Sequence, residues 1–185
     1  SLNNVWIIED DYDTEFPLES KPIPALKGLD TSGQVIYSGT FSKTLANYIR
    51  VSYLVVPNRI KNAMRQAAKH FALEVPFVLQ ATISDYIDEG HFHRHIRHMR
   101  AVYKQKQKAI SQQIRKEFEG IGTLSGGASG LHMTIEIDAR LDDKLICRDA
   151  SLHSMGCRPL SEFCSNQTRR GLVLGFGYGN SRQIE

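Results

Sequence analysis

Apolar positions come first as short β-branched runs and later as long stripes at helical spacing. Residues 5–8 are continuously apolar and end in carboxylates, which predicts a buried strand. Residues 35–37 and 51–56 predict two more. Between the first and second runs stand Pro17, Pro22, Pro24 and Gly28. Residues 14–32 therefore read as loop, with a helical turn starting at Ala25 and Leu26 and with Lys21 and Lys27 solvated. Pro57 ends the third strand, and Asn58 is placed to cap a helix over 59–73. Ile60, Met64, Ala67 and Phe71 fall at helical spacing on it and read as one buried stripe, with Met64 and Phe71 as core.

A second helix is expected over 76–88 with its stop at Gly90, and a long one over 92–119 with its stop at Gly120. Phe92, Ile96, Met99, Tyr103, Ile110 and Ile114 line its apolar side, and Arg94, Arg97, Arg100, Lys104, Lys106 and Lys108 its basic side. After a glycine-rich turn at 125–127, residues 131–137 alternate as a half-buried strand does. A helix over 141–155, an irregular stretch from Cys157 to Leu160 and a last strand at 172–176 complete the pattern. Residues 180–185 read as the start of a helix, so both ends look cut.

Composition narrows the class. With 185 residues, 41% apolar and 23% charged, the chain can bury a sizeable core. A net charge of +3 is too small to argue for nucleic acid or an anionic membrane as partner. Cys147, Cys157 and Cys164 are odd in number without C-x-x-C spacing, which fits a reducing cytoplasm. No apolar run approaches the ~20 residues of a membrane span. The basic side of the long helix lacks aromatic interleaving and reads as solvated. Of His91, His93, His95 and His98, the first and third have the i, i+4 spacing of metal ligands, but no carboxylate or cysteine completes a set, and no metal site is expected. Gly126, Gly127 and Gly130 lack phosphate-loop spacing and read as a hairpin or connector.

The chemistry concentrates around Lys43. It follows Ser38, Gly39, Thr40, Phe41 and Ser42, with Arg50 seven residues on. A lysine amine forms a Schiff base once it loses its proton, and desolvation shifts its pKa readily. Hydroxyls with a guanidinium suit a phosphate. Upstream, the strand at 5–8 delivers Glu9, Asp10, Asp11, Tyr12 and Asp13 at its C-terminal end, where open α/β sheets bind ligands. A pyridinium nitrogen needs a carboxylate, and a phenolate oxygen takes a tyrosine hydroxyl. Strand alternation leaves Asp10 and Asp11 as competitors for the carboxylate role.

These stretches, with Pro24-Ala-Leu-x-Gly28, Tyr53-Leu-Val-Val-Pro57, Asp88 through Arg100, Ser129-Gly-Leu-His132, Arg158-Pro-Leu-Ser161 and Leu172 through Gly177, resemble the aminotransferase-like domain of MocR-type, GntR-family transcription regulators along essentially the whole chain. The resemblance implies an α/β fold. Residues 1–91 would be the C-terminal half of the large domain of a fold-type I (aspartate aminotransferase-like) pyridoxal-phosphate protein, and 92–185 its small C-terminal domain. The winged-helix DNA-binding domain and the first half of the large domain would lie outside this chain. It implies pyridoxal 5'-phosphate as an aldimine on Lys43, Asp10 at the pyridine nitrogen, Tyr12 at the phenolic oxygen, and Ser38, Thr40 and Arg50 at the phosphate. The Asp10–Lys43 separation (43 − 10 = 33) is the family's. Arg158 is the candidate for a substrate carboxylate, with Arg169 and Arg170 as alternatives. Ala46 through Ile49 stand where the family carries Pro-Gly. The implied function is effector sensing by a cytoplasmic homodimer that meets DNA through its winged helix, the effector being a small amino compound or a vitamin B6 form. An active aminotransferase and a cofactor-free dimerisation domain are the alternatives.

Overall fold

The first apolar run forms β1 (Ile7–Asp11), which pairs in parallel with β2 (Val35–Thr40), and β2 pairs antiparallel with β3 (Ser52–Val55). The computed structural model describes residues 5–18, 23–127, 130–165 and 168–177. The expected helix start at 180–185 and Lys21 lie outside the described residues. The chain divides into two units, one of Ser1–Glu15 with Lys21–Ile96, the other of Phe16–Ser20 with Arg97–Glu185.

In the first unit the strand order is β1-β2-β3, so β1 is an edge strand. It is not the buried strand its run of apolar residues predicts: Ile8 is 72% exposed. β2 continues through Ser38, Gly39 and Thr40, beyond the expected three residues, because its main chain pairs with β1 as far as Gly39 and with β3 as far as Thr40. The crossover from β1 to β2 contains the short helix α1 (Leu26–Leu29), which the Glu9 carboxylate caps by accepting the Leu26 and Lys27 N–H groups at 2.8 and 2.9 Å. Lys27 is not solvated as expected; its Nζ donates to the Val35 carbonyl at 2.9 Å and lies 3.8 Å from Asp30. Asp30 accepts the N–H groups of Val35, Ser32 and Gly33, which hold its carboxyl down at about 2.

The expected helix after Pro57 starts late. Asn58–Ile60 form a 3-10 turn without a side-chain cap, and α2 is Lys61–His70. Its stripe is not core: Ile60, Met64 and Ala67 are half-buried and Phe71 is 67% exposed. α3 (Phe77–Asp88) buries Ile83, and Gly90 adopts the left-handed φ of +75° that ends the segment. α4 (His91–Glu117) begins in the first unit and continues into the second.

The second unit holds an antiparallel sheet, order β4-β5-β7-β6, built from β4 (Gly122–Gly126), β5 (His132–Ile137), β6 (Cys157–Pro159) and β7 (Arg170–Gly175). Two expectations are corrected here. The glycine-rich turn is the end of β4, paired up to Gly126 opposite Met133, and the irregular stretch at Cys157 is an edge strand on β7 followed by a 3-10 turn, Leu160–Phe163. Main-chain pairing made both strands, and neither the short Cys-Arg-Pro stretch nor the glycines reveal that locally. Met133, Ile135, Leu160 and Leu172 are core. Gly171 sits so close to β5 that an added Cβ would lie 2.4 Å from the Ile135 carbonyl oxygen, so only glycine fits.

α5 (Asp143–Leu152) is capped by Asp142, whose carboxylate accepts the Lys144 and Leu145 N–H groups. The next residue organises the unit. Asp143 is fully buried and accepts from Ser161 N–H at 2.9 Å, Ser161 Oγ at 2.8 Å and Gly171 N–H at 3.2 Å, with Arg170 3.3 Å away. Burial opposes its charge, but the Ser161 and Gly171 hydrogen bonds and the Arg170 guanidinium outweigh it, and its pKa is lowered.

Asp143→Asn will therefore destabilise the second unit by about 2–4 kcal/mol, because one acceptor becomes a donor facing donors. Because the folded pKa is depressed, this stabilisation is complete above the unfolded value of about 3.9 and is lost as pH falls through the folded value. Denaturant unfolding at a series of pH values will show wild-type stability falling below about pH 4, and the variant losing less over that range.

Candidate functional site

A closed turn carries Lys43 past the end of β2. Leu45 N–H donates to the Phe41 carbonyl at 2.8 Å, closing one helical turn around Ser42, Lys43 and Thr44. Phe41 N–H donates to Val51 O at 2.9 Å and ties the turn's first stem to the start of β3. Thr40 Oγ1 donates to the same carbonyl at 3.2 Å and accepts the Ser42 N–H at 3.2 Å. The Thr40 hydroxyl is thus already the knot of the turn. Thr44 is 2% exposed, so the residue after the lysine is anchored inside. Lys43 itself is half-buried, and its amine has no hydrogen-bond or ion-pair partner among the described residues.

The segment 46–49 makes its own turn through Ile49 N–H to Ala46 O at 3.1 Å. The left-handed backbone conformation falls on Arg50, φ +53°, a strained choice for a residue with a Cβ. Arg50 is exposed and unpaired among the described residues, at the stem opposite Thr40.

β1 brings the carboxylates to the same edge. Asp10 is in register with Ser38, and Asp11 with Gly39. The two aspartates differ in what they touch. Asp11 accepts the Tyr37 hydroxyl at 2.8 Å and the Thr14 hydroxyl at 2.6 Å, so it is committed to the scaffold. Asp10 is exposed with no partner among the described residues. Tyr12 is raised above the ordinary phenol range by Asp13, by burial and by Asp10, which keeps its hydroxyl protonated and a donor. Asp10, Tyr12, Ser38, Thr40, Lys43 and Arg50 therefore all stand at the edge where β1 and β2 end and β3 begins.

An aromatic cluster that spacing does not announce supports this edge. Tyr53 packs 6.1 Å from Tyr37 and 5.3 Å from Phe41, centroid to centroid. A Cβ on Gly39 would lie 2.4 Å from the Tyr53 ring, so glycine lets the ring lie flat across β2. Burial, and then the Asp11 hydrogen bond, push the Tyr37 phenol far up. Phe41 and Tyr53 also line an open groove of 970 Å³ with Leu73 and Phe77, and neither Lys43 nor Asp10 borders it.

The remaining candidates have partners of their own. Arg158 lies in the second unit, paired with Glu162 at 3.3 Å and stacked over Phe163. Arg169 pairs with Glu136, and Arg170 with Asp143. His91 pairs with Glu89 at 3.1 Å and stacks on Tyr86, while His95 Nε2 is 2.8 Å from the Thr44 carbonyl. Among the described residues no group of three His, Cys, Asp or Glu is close enough to hold a metal ion.

The family model described as aminotransferase class I and II matches residues 3–148. The chain is 33% identical over 175 residues to the probable rhizopine catabolism regulatory protein MocR of Rhizobium meliloti, covering 94% of this chain and 36% of that protein. It is 35% identical over 176 residues to the uncharacterized HTH-type transcriptional regulator YhdI of Bacillus subtilis, covering 95% of this chain and 37% of that protein. The chain thus spans little more than a third of the length of these relatives. Among solved structures it is similar to the kynurenine aminotransferase of Pyrococcus horikoshii in complex with PMP, with 27% identity and a TM-score of 0.84 over 97% of this chain and 45% of that one.

The two aspartates will respond differently to truncation. Asp11→Ala will cost about 1–3 kcal/mol of stability by orphaning the Tyr37 hydroxyl, whereas Asp10→Ala will change it by less than about 0.5 kcal/mol. Urea unfolding of the two variants side by side checks this, and equal losses would refute the division of roles.

Proposed function

Because this chain belongs to the aminotransferase class I and II family, we propose that it holds pyridoxal 5'-phosphate where β1 and β2 end, as the effector-sensing part of an HTH-type transcription regulator. One observation carries the cofactor reading. A carboxylate, an amine and a guanidinium without partners among the described residues, together with a phenol kept protonated, converge on one sheet edge. That donor set fits this cofactor. When bound, pyridoxal phosphate supplies an electron sink.

The chain's own residues then have distinct tasks. Lys43 offers the amine for covalent attachment, from a turn that β2 and β3 hold shut. Asp10 would set its carboxylate against the ring nitrogen and keep the proton there. Tyr12 would donate to the phenolic oxygen. Ser38 and Arg50 would hold the phosphate, with Arg50 as the charged member, and Thr40 would join them only by turning its hydroxyl from the Val51 carbonyl. Arg158 is the candidate for an effector carboxylate once released from Glu162.

Residues 1–91 are then the C-terminal half of the large cofactor domain and 92–185 the small C-terminal domain. The intact protein is a cytoplasmic homodimer whose winged helix, outside this chain, meets DNA. Among the described residues no helix is long and apolar enough to cross a membrane. The effector is a small amino compound or a vitamin B6 form, and it acts by binding two global states unequally. A second reading, an active aminotransferase, is favoured by the likeness to the Pyrococcus horikoshii enzyme.

Full-length protein incubated with pyridoxal phosphate will show a visible absorbance band that borohydride abolishes and that Lys43→Ala lacks. An effector amine will then change DNA affinity about fivefold or more without forming keto acid. Keto acid accumulating instead marks the aminotransferase, and no band in the wild type overturns the cofactor reading.

A further inference from the structure

α4 grips the lysine turn from both sides. Its first turn places Phe92 edge-on against Phe41, at a centroid distance of 5.9 Å and an angle of 82°, two residues before Lys43. One turn later His95 Nε2 lies 2.8 Å from the carbonyl oxygen of Thr44, the residue after Lys43. A carbonyl only accepts, so Nε2 carries a hydrogen and donates it. The bond spans 51 positions of sequence and ends on a carbonyl of a 2%-exposed residue. The internal bond of the turn, Leu45 N–H to Phe41 O, leaves the Thr44 carbonyl free to take it.

From this geometry we propose that His95 is the positioning residue of the cofactor lysine: its Nε2–H fixes the peptide following Lys43 and so fixes where the amine stands. The assignment rests on the reading of Lys43 as the attachment point. His95 touches neither the amine nor any reacting atom. It acts through the Thr44 peptide, and Phe92 adds a second contact on the other stem. A turn closed by a single main-chain bond can open locally at small cost, and a buried carbonyl that loses its donor is penalised by about 1–3 kcal/mol. The grip therefore lowers the population of open turns. The helix that exerts it continues to Glu117 in the second unit.

Two measurements on the full-length protein test the proposal, with His95→Leu to remove the donor and His95→Gln to restore an N–H at similar reach. The first needs no cofactor. Amide hydrogen exchange at Leu45 will speed up about tenfold or more in His95→Leu and stay within about threefold of wild type in His95→Gln, while the Tyr37 amide in β2 is unchanged. The second is titration with pyridoxal phosphate, read from the visible band. The dissociation constant will rise about tenfold or more in His95→Leu and return to within about threefold in His95→Gln. Exchange at Leu45 as slow in His95→Leu as in wild type overturns the proposal, as does equal acceleration at Leu45 and Tyr37, which would mean general destabilisation. A band with unchanged affinity in His95→Leu also overturns it. If wild type shows no band, the cofactor reading fails by itself, and any function of the grip in attachment fails with it.

Discussion

The parallel pairing of β1 with β2 is the constraint on which the site depends. Asp10 and Lys43 are separated by a crossover containing three prolines and a one-turn helix, and nothing local brings them near. The register that sets Asp10 beside Ser38 puts the strand ends that carry them on one sheet edge, and the antiparallel return of β3 adds Arg50 to the same edge. Parallel strands need a long crossover, and this one is stiffened where it re-enters the sheet, by Glu9 capping α1 and by Asp30 gathering the N–H groups that start β2.

Within that frame the polar residues separate into two groups by what they touch. Glu9, Asp11, Asp30, Thr40 and Thr44 each hold main chain or a scaffold hydroxyl. Asp10, Lys43 and Arg50 have no such partner among the described residues. Asp11, which already accepts from the Tyr37 hydroxyl and from the hydroxyl and N–H of Thr14, has little capacity left for a ligand, whereas a carboxylate facing water keeps all of it. Neighbouring aspartates on one strand thus serve different ends. The second unit uses the scaffold logic in its most buried form: Asp143 joins α5 to the Leu160–Phe163 turn and to β7 through hydrogen bonds that overcome the cost of burying its charge.

Much of the fold was legible along the chain. Helical spacing and glycine stops located α3 and α4 to within a residue or two, since both signals are local. The candidate site residues were chosen from equally local signals, because strand–carboxylate–tyrosine and strand–hydroxyl–lysine are contiguous words. β4 and β6 were not, because each is a strand only through its partner: β4 is glycine at both ends and β6 is three residues on an edge. The apolar side chains of β1 and the stripe on α2 predicted burial that the described residues do not provide, since pattern reports what a side chain prefers and not what covers it.

By itself, then, the sequence determined the order of the helices and of the strands other than β4 and β6, the chemical inventory near Lys43, and the kinship of the chain. Those properties are carried by residue types at short separations, where backbone propensity and spacing suffice. Only the tertiary structure decided which aspartate is committed to Tyr37, which hydroxyl ties the lysine turn, and that His95, one of four histidines that look alike in sequence, holds the Thr44 carbonyl. Each of those outcomes depends on a hydrogen bond between groups that are distant in sequence, or on the strand register that aims a side chain, and neither is encoded in any single stretch.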